Sequence, residues 1–366
     1  MTRRGVVGLA ALLVGVVAVA ALTVVANLPS GASPVAAGPV VVASLPYWNL
    51  DHGTSAVLAN RDDVNEASPW IYGLDGRAGI VHLYPAGQRA AVSGDVARLR
   101  AAGLRLVPTL ANVVGGDFAY QPIAGILHDS ARTGAHVAAI VDLVDRAGYA
   151  GIDIDYEDLH AGDRQAFTNY LTRLAGELHA HGKLLSVALF AKQDDAGYDQ
   201  RNVAQDYAAI GRVADQVRLM GYDYHWASSP PGPIAPVTWI NSVLAYARTQ
   251  IPPDKIVLGV PMYGYDWVGD RGTPVTWRQA TALAGRHHVP IGYDRASQSP
   301  WFRYTDGAGQ VHDVWFENAT SVAAKLAAAR AIGAGGVFLW LYGPEDTGMW
   351  PALHQAFPLS GAGRPR

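Results

Sequence analysis

Eight short apolar runs, most of them separated by helix-like segments, recur along the chain from about residue 40. They occupy residues 40–45, 79–84, 104–111, 150–156, 184–190, 216–222, 255–262 and 335–341. Runs of this length match buried parallel strands, and the segments between them match the crossover helices that parallel strands require. Eight such units predict an α/β fold, the closed (β/α)8 TIM barrel, whose functional residues lie at the carboxyl ends of the strands.

Four of the intervening segments have the spacing of amphipathic helices. The clearest lies between Asp163 and Gly182, where apolar residues recur every three or four positions. Asp163 is a suitable N-cap residue and Gly182 a suitable C-cap residue. The other three predicted helices cover residues 131–147, 238–251 and 319–332.

One interval is too long for a single crossover. About 70 residues separate the end of the seventh run near Gly264 from the start of the eighth near Gly335, whereas a βαβ unit needs roughly 30. The part from 268 to 316 contains short β-like pieces, with Gly307 and Gly309 at a predicted hairpin turn. We therefore predict a small α+β insertion between strands 7 and 8, forming one wall of a cleft.

The first 39 residues differ from the rest of the chain. Arg3 and Arg4 precede an uncharged apolar stretch that ends at about Ala26, and residues 27–39 are rich in Pro and Gly. A basic start before an apolar run is typical of an export signal, and roughly 20 apolar residues can also span a bilayer. We expect a signal peptide or signal anchor over 1–26, a linker over 27–39, and an extracellular domain over 40–360, either secreted or membrane-anchored.

The composition narrows the class of ligand. The formal net charge is −3 and the chain contains no cysteine, so we expect neither nucleic acid as a partner nor thiol chemistry. The 10 Trp and 17 Tyr residues supply flat, amphipathic rings that can stack on sugars. We therefore expect a neutral, hydroxyl-rich ligand, a monomeric protein, and no metal or other cofactor.

Three acids occupy alternate positions in the fourth run, Gly-Ile-Asp-Ile-Asp-Tyr-Glu over residues 151–157. On a strand, Asp153, Asp155 and Glu157 would share one face at intervals of about 7 Å. Three like charges in a row are costly unless they share protons or serve a ligand, and hydrolysis of an acetal needs a protonated acid beside a carboxylate. A cation site and a solvated edge are the alternatives, although the glycine and glutamate positions of an EF-hand loop are absent.

The motif Gly-x-Asp-x-Asp-x-Glu resembles the signature of family 18 glycoside hydrolases, the chitinase family. The resemblance extends from about residue 41 to 357, with residues 219–223, 259–264 and 335–340 similar to the family's sixth, seventh and eighth strands. The long interval before the eighth strand is similar to the family's insertion domain. The resemblance implies a glycosidase that acts on a polysaccharide containing N-acetylglucosamine.

The resemblance also implies a retaining mechanism in which the substrate's own N-acetyl group takes part. Glu157 would serve as acid and base, Asp155 would hold the acetamido N–H, and Asp153 would hold or receive the proton of Asp155. Tyr222 would bind the acetamido oxygen, which attacks the anomeric carbon and gives an oxazolinium ion. The candidates for substrate binding are Asp223, Trp340, Met220, Asn112, Tyr263 and Trp48.

The sequence departs from the family's pattern at several positions. Ala150 stands where the family has its first signature Asp, residues 108–112 replace its Ser-x-Gly-Gly, and Tyr265 stands where many chitinases have Arg. Residues 108–112, 225–226 and 229–233 instead resemble spore cortex-lytic and related cell-wall N-acetylglucosaminidases. We therefore expect cleavage of β-1,4 bonds after N-acetylglucosamine in peptidoglycan. The alternatives are a chitinase or chito-oligosaccharide hydrolase, and an inactive sugar-binding protein on the same fold.

Overall fold

In the computed structural model, which describes residues 38–359, eight parallel strands form a closed barrel. In chain order they are β1 Val40–Pro46, β2 Glu66–Leu74, β3 Thr109–Ala111, β4 Gly151–Asp155, β5 Leu184–Phe190, β6 Gln216–Met220, β7 Ile256–Pro261 and β8 Gly336–Trp340. Each strand pairs with its successor, and β1 pairs with both β2 and β8, which closes the barrel. The predicted (β/α)8 fold is confirmed.

The second strand does not lie in the apolar run at 79–84, and that part of the prediction is wrong. β2 covers Glu66–Leu74, and within the predicted run only Ile80–His82 is a strand, which pairs antiparallel with the end of β2. The apolar pattern missed β2 because the strand begins with Glu66, which is fully buried. Arg218 on β6 pairs with that carboxylate inside the barrel, and local hydrophobicity cannot reveal such a distant partner.

Helices follow the strands, and most of them cover the outside of the barrel. In the described part of the chain they are α1 Leu50–Ala59, α2 Arg89–Ala101, α3 Tyr120–Leu127, α4 Ser130–Ala147, α5 Arg164–Ala180, α6 Gln200–Ala204, α7 Tyr207–Val213, α8 Val237–Gln250, α9 Trp277–Arg286, α10 Ala319–Ala331 and α11 Met349–Ala356. The four predicted helices correspond to α4, α5, α8 and α10. Their apolar faces are buried, as in α5, where Phe167, Leu171, Leu174 and Leu178 are not exposed.

The two ends of α5 differ in how well they follow the prediction. Gly182 follows the helix with a φ of 65°, the left-handed conformation that a glycine at this position adopts. Asp163 precedes the helix, but its carboxylate does not cap α5. Instead, it accepts a hydrogen bond from the backbone N–H of His160 at 2.8 Å and lies 2.6 Å from Nε2 of His128. Asp163 therefore ties the loop that follows β4 to the end of α3.

The predicted α+β insertion is present between β7 and β8. It contains α9 and an antiparallel sheet of five strands, Gly264–Val268, Arg271–Val275, Gly292–Asp294, Ser299–Thr305 and Val311–Phe316. The first of these strands begins at Gly264, earlier than the expected start at 268. A Cβ at Gly264 would lie 2.2 Å from the carbonyl oxygen of Trp315, so only glycine lets the first strand pair closely with the last.

No helix within residues 38–359 combines the length and the apolar character needed to cross a lipid bilayer. The predicted signal segment at 1–26 and most of the linker at 27–39 lie outside the described residues. The structure therefore describes the barrel and its insertion.

Candidate active site

β4 brings the acids of the sequence motif to the carboxyl end of the barrel. Asp153 and Asp155 are the third and fifth residues of the strand, and both are buried. Ile152 and Ile154 alternate with them and are fully buried in the main apolar core. The predicted alternation on one strand face therefore holds for the two aspartates. Glu157 comes two residues after the strand ends and lies at the rim of the barrel.

Asp153 is surrounded by hydrogen-bond donors from three other strands. Its Oδ1 accepts a hydrogen bond from Ser186 Oγ at 2.6 Å, and its Oδ2 accepts one from Thr109 Oγ1 at 2.9 Å. Oδ2 also lies 3.1 Å from a guanidinium nitrogen of Arg218. A cation site would need open carboxylate oxygens here, whereas both oxygens of Asp153 already have donors.

Asp155 has one bound and one free carboxylate oxygen. Its Oδ2 accepts a hydrogen bond from the indole Nε1 of Trp70 at 3.0 Å, while the buried Oδ1 has no hydrogen-bond partner among residues 38–359. Burial and the neighbouring charge of Asp153 raise the pKa of Asp155 to about 7, against the opposing effects of Trp70 and Arg218. Asp155 is therefore poised to change its protonation state near neutral pH.

Glu157 is held through its backbone. The side chain of Asn112 donates from Nδ2 to the carbonyl oxygen of Glu157 at 2.8 Å and accepts from its N–H, also at 2.8 Å. The next residue, Asp158, has a φ of 55°, a conformation that costs a residue other than glycine about 1 kcal/mol or more. The Glu157 carboxyl is half-buried and forms no hydrogen bond with any other described residue. Burial and the charges of Asp155 and Asp158 raise its pKa well above the usual value.

Tyr222 faces the acids from the loop that follows β6. Its ring makes edge contacts with Tyr263 and Phe338, at centroid distances of 6.4 and 6.0 Å. Burial, followed by the charge of Asp155, raises the pKa of the Tyr222 hydroxyl well above its usual value. The hydroxyl therefore stays protonated and can donate a hydrogen bond beside the acids.

Asp223 follows Tyr222 with a φ of 55° and opens onto the same cleft. Its Oδ1 accepts hydrogen bonds from the hydroxyls of Tyr263 at 2.5 Å and Tyr265 at 3.2 Å. Desolvation by the surrounding residues raises the pKa of Asp223 to about 6, although the two hydroxyls favour the charged form. Asp223, like Asp158, therefore has a strained backbone, and its carboxyl group lies beside the acid row.

An aromatic cluster lies next to Asp155. Trp48, Trp70 and Trp340 contact one another edge to face, with ring centroids 5.8 to 6.4 Å apart. Tyr342 adds a further edge contact to Trp48 at 5.8 Å. Trp48 is 48% exposed, and Trp340 is partly exposed at the end of β8. Because Trp70 also donates to Asp155, the cluster places partly exposed aromatic rings beside the acids.

Two of the predicted binding residues lie behind the cleft surface. Asn112 is fully buried, and its side-chain amide forms hydrogen bonds with the backbone of Glu157 and with the carbonyl oxygen of Ala119. It therefore positions Glu157, and the prediction that it contacts the substrate is wrong. Tyr263 is also buried, with its hydroxyl on Asp223, whereas Met220 is partly exposed and packs with the small cluster around Phe338.

Three further residues at the site were not among the sequence candidates. Trp70, Arg218 and Tyr265 each contact one of the acids. Arg218 stands four positions before Tyr222, so the two-residue period of a strand could have placed it on the inward face of β6. Trp70 could not be placed in the same way, because β2 itself was not predicted.

The combined geometry supports acid–base chemistry on a ring-shaped ligand. The carboxyl group of Glu157 at the rim, whose pKa is raised, lies beside that of Asp155, which has a pKa of about 7 and one oxygen without a hydrogen-bond partner among the described residues. An acid and a carboxylate in one cleft are what cleavage of a glycosidic bond requires. Among residues 38–359, no group of three or more His, Asp or Glu side chains is arranged to hold a metal ion.

Comparisons with known proteins agree on the family to which the barrel is similar. The family model for "Glycosyl hydrolases family 18" matches residues 105–344. A protein of Bacillus subtilis (strain 168) named as the sporulation-specific glycosylase YdhD is 36% identical over 285 residues, which cover 74% of this chain and 66% of that protein. A cortical fragment-lytic enzyme of Bacillus anthracis is 32% identical over 260 residues, which cover 69% of this chain and 60% of that enzyme.

Among solved structures, a chitinase from Chromobacterium violaceum ATCC 12472 has the same fold. Its TM-score is 0.81 at 28% sequence identity, and the match covers 88% of this chain and all of that chain. By contrast, the chain spans less than two thirds of the length of the two Bacillus relatives. The similarity to those relatives is therefore a similarity of the barrel.

Proposed function

The chain belongs to glycoside hydrolase family 18, and from that premise we propose that it hydrolyses β-1,4 bonds after N-acetylglucosamine in peptidoglycan. The reaction retains the anomeric configuration and uses the acetamido group of the substrate as its nucleophile. The observation that carries the proposal is the free Oδ1 of Asp155 beside the uncommitted carboxyl of Glu157.

In the first step, Glu157 donates its proton to the glycosidic oxygen. The bond from the anomeric carbon to that oxygen breaks, while the acetamido oxygen forms a new bond to the same carbon. The side chain of Asp155 turns toward the sugar, so that its carboxylate accepts a hydrogen bond from the acetamido N–H and balances the positive charge of the oxazolinium ion. The hydroxyl of Tyr222 keeps its proton and donates a hydrogen bond to the acetamido oxygen, which orients that oxygen for attack.

In the second step, Glu157 is a carboxylate and acts as a base. It takes a proton from a water molecule, the water oxygen bonds to the anomeric carbon, and the bond to the acetamido oxygen breaks. The product is a sugar with its original anomeric configuration, and Glu157 is protonated again. Trp48 and Trp340 support the sugar ring during both steps by stacking and by excluding water.

Two observations support peptidoglycan over chitin as the polymer. The cell-wall-like segments at 108–112 and 225–226 depart from typical chitinases, and the Bacillus relatives include a cortical fragment-lytic enzyme. The match to the Chromobacterium violaceum chitinase favours the second candidate, hydrolysis of chitin or chito-oligosaccharides. Both polymers contain N-acetylglucosamine, so the proposed mechanism is the same for each.

The proposed location is outside the cytoplasm. The basic start and the apolar stretch from Gly5 to Ala26 favour export, and an extracellular enzyme meets the cell wall directly. Cleavage of that stretch would release the enzyme, whereas retention would anchor it to the membrane.

The test is incubation of the full chain with purified peptidoglycan and, separately, with chitin oligomers, followed by mass spectrometry of the new reducing ends. We expect N-acetylglucosamine at the reducing ends of the peptidoglycan fragments. Reducing ends of N-acetylmuramic acid would refute the bond specificity. Turnover of chitin oligomers alone would favour the second candidate.

Glu157→Gln is the variant for the catalytic assignment, with Glu177→Gln as its matched control. Glu177 is exposed on α5 and lies on the outside of the barrel. We expect a loss of at least about 1,000-fold in kcat for Glu157→Gln, in the range of removing a general acid, and no loss for Glu177→Gln. Undiminished turnover by Glu157→Gln would show that the bond is broken elsewhere.

A further inference from the structure

A network of buried charges lies in the barrel directly behind the acid row. It contains Glu66 on β2, Asp153 on β4 and Arg218 on β6, whose side chains are at most 4% exposed. Arg105, which is 20% exposed, closes the network on the far side of Glu66. The network holds two positive and two negative charges, so it is balanced as it stands.

Arg218 is fixed from behind by Glu66. One guanidinium nitrogen of Arg218 donates to Glu66 Oε1 at 2.7 Å, and the other donates to Ser68 Oγ at 2.7 Å and lies 3.1 Å from Asp153 Oδ2. The second oxygen of Glu66 accepts from Arg105 Nε at 2.7 Å and from Gln216 Nε2 at 3.0 Å. With these contacts in place, the guanidinium cannot turn away from Asp153.

The contacts of the two aspartates differ in where they leave room for a proton. Both oxygens of Asp153 face donors, namely Ser186, Thr109 and Arg218. A protonated Asp153 would require Ser186 or Thr109 to turn its hydroxyl and accept the new O–H, and it would leave Glu66 to balance the charges of both Arg218 and Arg105. Asp155 Oδ1 has no donor among residues 38–359, so a proton can bind there without displacing a contact.

We propose that Arg218, locked in place by Glu66, holds Asp153 as a carboxylate, so that Asp155 alone gains and loses the proton of the aspartate pair. Asp153 would then act as a fixed negative charge and not as a proton reservoir, contrary to the role implied by the family resemblance. The inference rests on the proposed function for its kinetic consequences, but the protonation pattern itself does not depend on turnover.

The charged and titratable groups around Asp155 set the expected direction of the effect. They are Asp153, Arg218, Glu157 and Tyr222, with Glu66 and Arg105 behind Arg218. Asp153 raises the pKa of Asp155 and Arg218 lowers it. Removal of the Arg218 charge should therefore move the acid limb of the kcat/KM profile to higher pH.

The kinetic test compares Arg218→Lys with the double variant Glu66→Gln/Arg218→Met, which removes one charge of each sign and keeps the side-chain volumes similar. We expect the acid limb of the double variant to move upward by about one pH unit or more, as loss of a nearby opposite charge does. Arg218→Lys should keep the wild-type limb because it keeps the charge. Circular dichroism checks that both variants fold.

If the double variant has a lower kcat/KM at every pH but the same acid limb as the wild type, the proposal is overturned. A purely structural role would lower the activity equally at all pH values. An upward shift of the same size in Arg218→Lys would also overturn it, because the charge would then not be the cause.

Infrared difference spectroscopy between pH 8 and pH 5 tests the protonation pattern without any turnover. In a background of Glu157→Gln and Asp223→Asn, which removes the two other site carboxyls whose pKa is raised, the band of a protonated carboxyl that appears near neutral pH should be absent from Asp155→Asn. It should persist, at lower pH, in Asp153→Asn. Loss of the band in Asp153→Asn but not in Asp155→Asn would place the proton on Asp153 and refute the proposal, whatever the enzyme hydrolyses.

Discussion

The hydrogen bond from Trp70 to Asp155 provides a quantitative test of the site. The indole Nε1 of Trp70 donates to Asp155 Oδ2 at 3.0 Å, and this bond favours the charged carboxylate. Trp70→Phe removes the donor and keeps an aromatic ring beside Trp48 and Trp340. A hydrogen bond to a charged group is worth about 1.5–3 kcal/mol, which corresponds to roughly one to two pKa units. The pKa of Asp155, about 7 in the native protein, should rise accordingly.

The consequence is a loss of activity that depends on pH. Catalysis needs Asp155 as a carboxylate, so below pH 7 the kcat/KM of Trp70→Phe should fall by about 10- to 100-fold, following the pKa change. The loss should shrink as the pH rises above the new pKa, because Asp155 is then ionised in both proteins. The assay is the full pH profile of kcat/KM on an N-acetylglucosamine oligomer.

Trp48→Phe is the matched control for this prediction. Trp48 belongs to the same aromatic cluster and contacts Trp70 and Trp340, but it does not donate to Asp155. We expect Trp48→Phe to change KM and to leave the acid limb in place. A loss in Trp70→Phe that is equal at every pH, or an acid limb that shifts equally in both variants, would refute the reasoning.

Three further predictions concern the neighbours of the acids. Asn112→Ala removes the two hydrogen bonds that hold the backbone of Glu157 and should misplace its carboxyl group. We expect kcat to fall by about 10- to 100-fold with little change in KM, as measured by steady-state kinetics. The pKa of Asp155 is higher in the folded protein than in the unfolded chain, so folding favours the protonated carboxyl. The native state therefore loses stability as the pH rises from about 4 to 7. Asp155→Asn should therefore stabilise the fold by roughly a few kcal/mol at pH 8 and much less at pH 4, measured by urea unfolding. Tyr265→Phe removes a hydrogen bond to Asp223 and should raise the pKa of Asp223 above about 6, so that KM increases below pH 7; an unchanged KM profile would contradict this.

The barrel could be predicted from the sequence because its strands are locally recognisable. The runs that became β4, β5 and β7 consist mostly of apolar residues, and their polar members, Asp153, Asp155 and Ser186, belong to the site. The acids over residues 153–157 were also recognisable, since three carboxylates at alternate positions have few structural uses. Local pattern and tertiary role agree at these positions.

The parts that escaped prediction depend on contacts between distant residues. Glu66 and Arg218 are 152 positions apart in sequence. A charged residue in a buried strand is unfavourable by itself, and each of these two is explained only by its ion pair with the other. Asn112 gave a similar difficulty: a polar residue at a strand end predicts a ligand contact, but its amide bonds to the backbone of Glu157, 45 positions away. Buried polar pairs of this kind carry no local signal.

The stereochemistry of the product tests the central claim most directly. ¹H NMR of the reaction of the full chain with an N-acetylglucosamine oligomer, recorded in the first minutes, identifies the anomer released before mutarotation. Attack by the acetamido group followed by water through Glu157 predicts the β-anomer as the first product. The α-anomer as the first product would mean that water attacks the substrate directly, and it would contradict the proposed roles of Asp155 and Glu157.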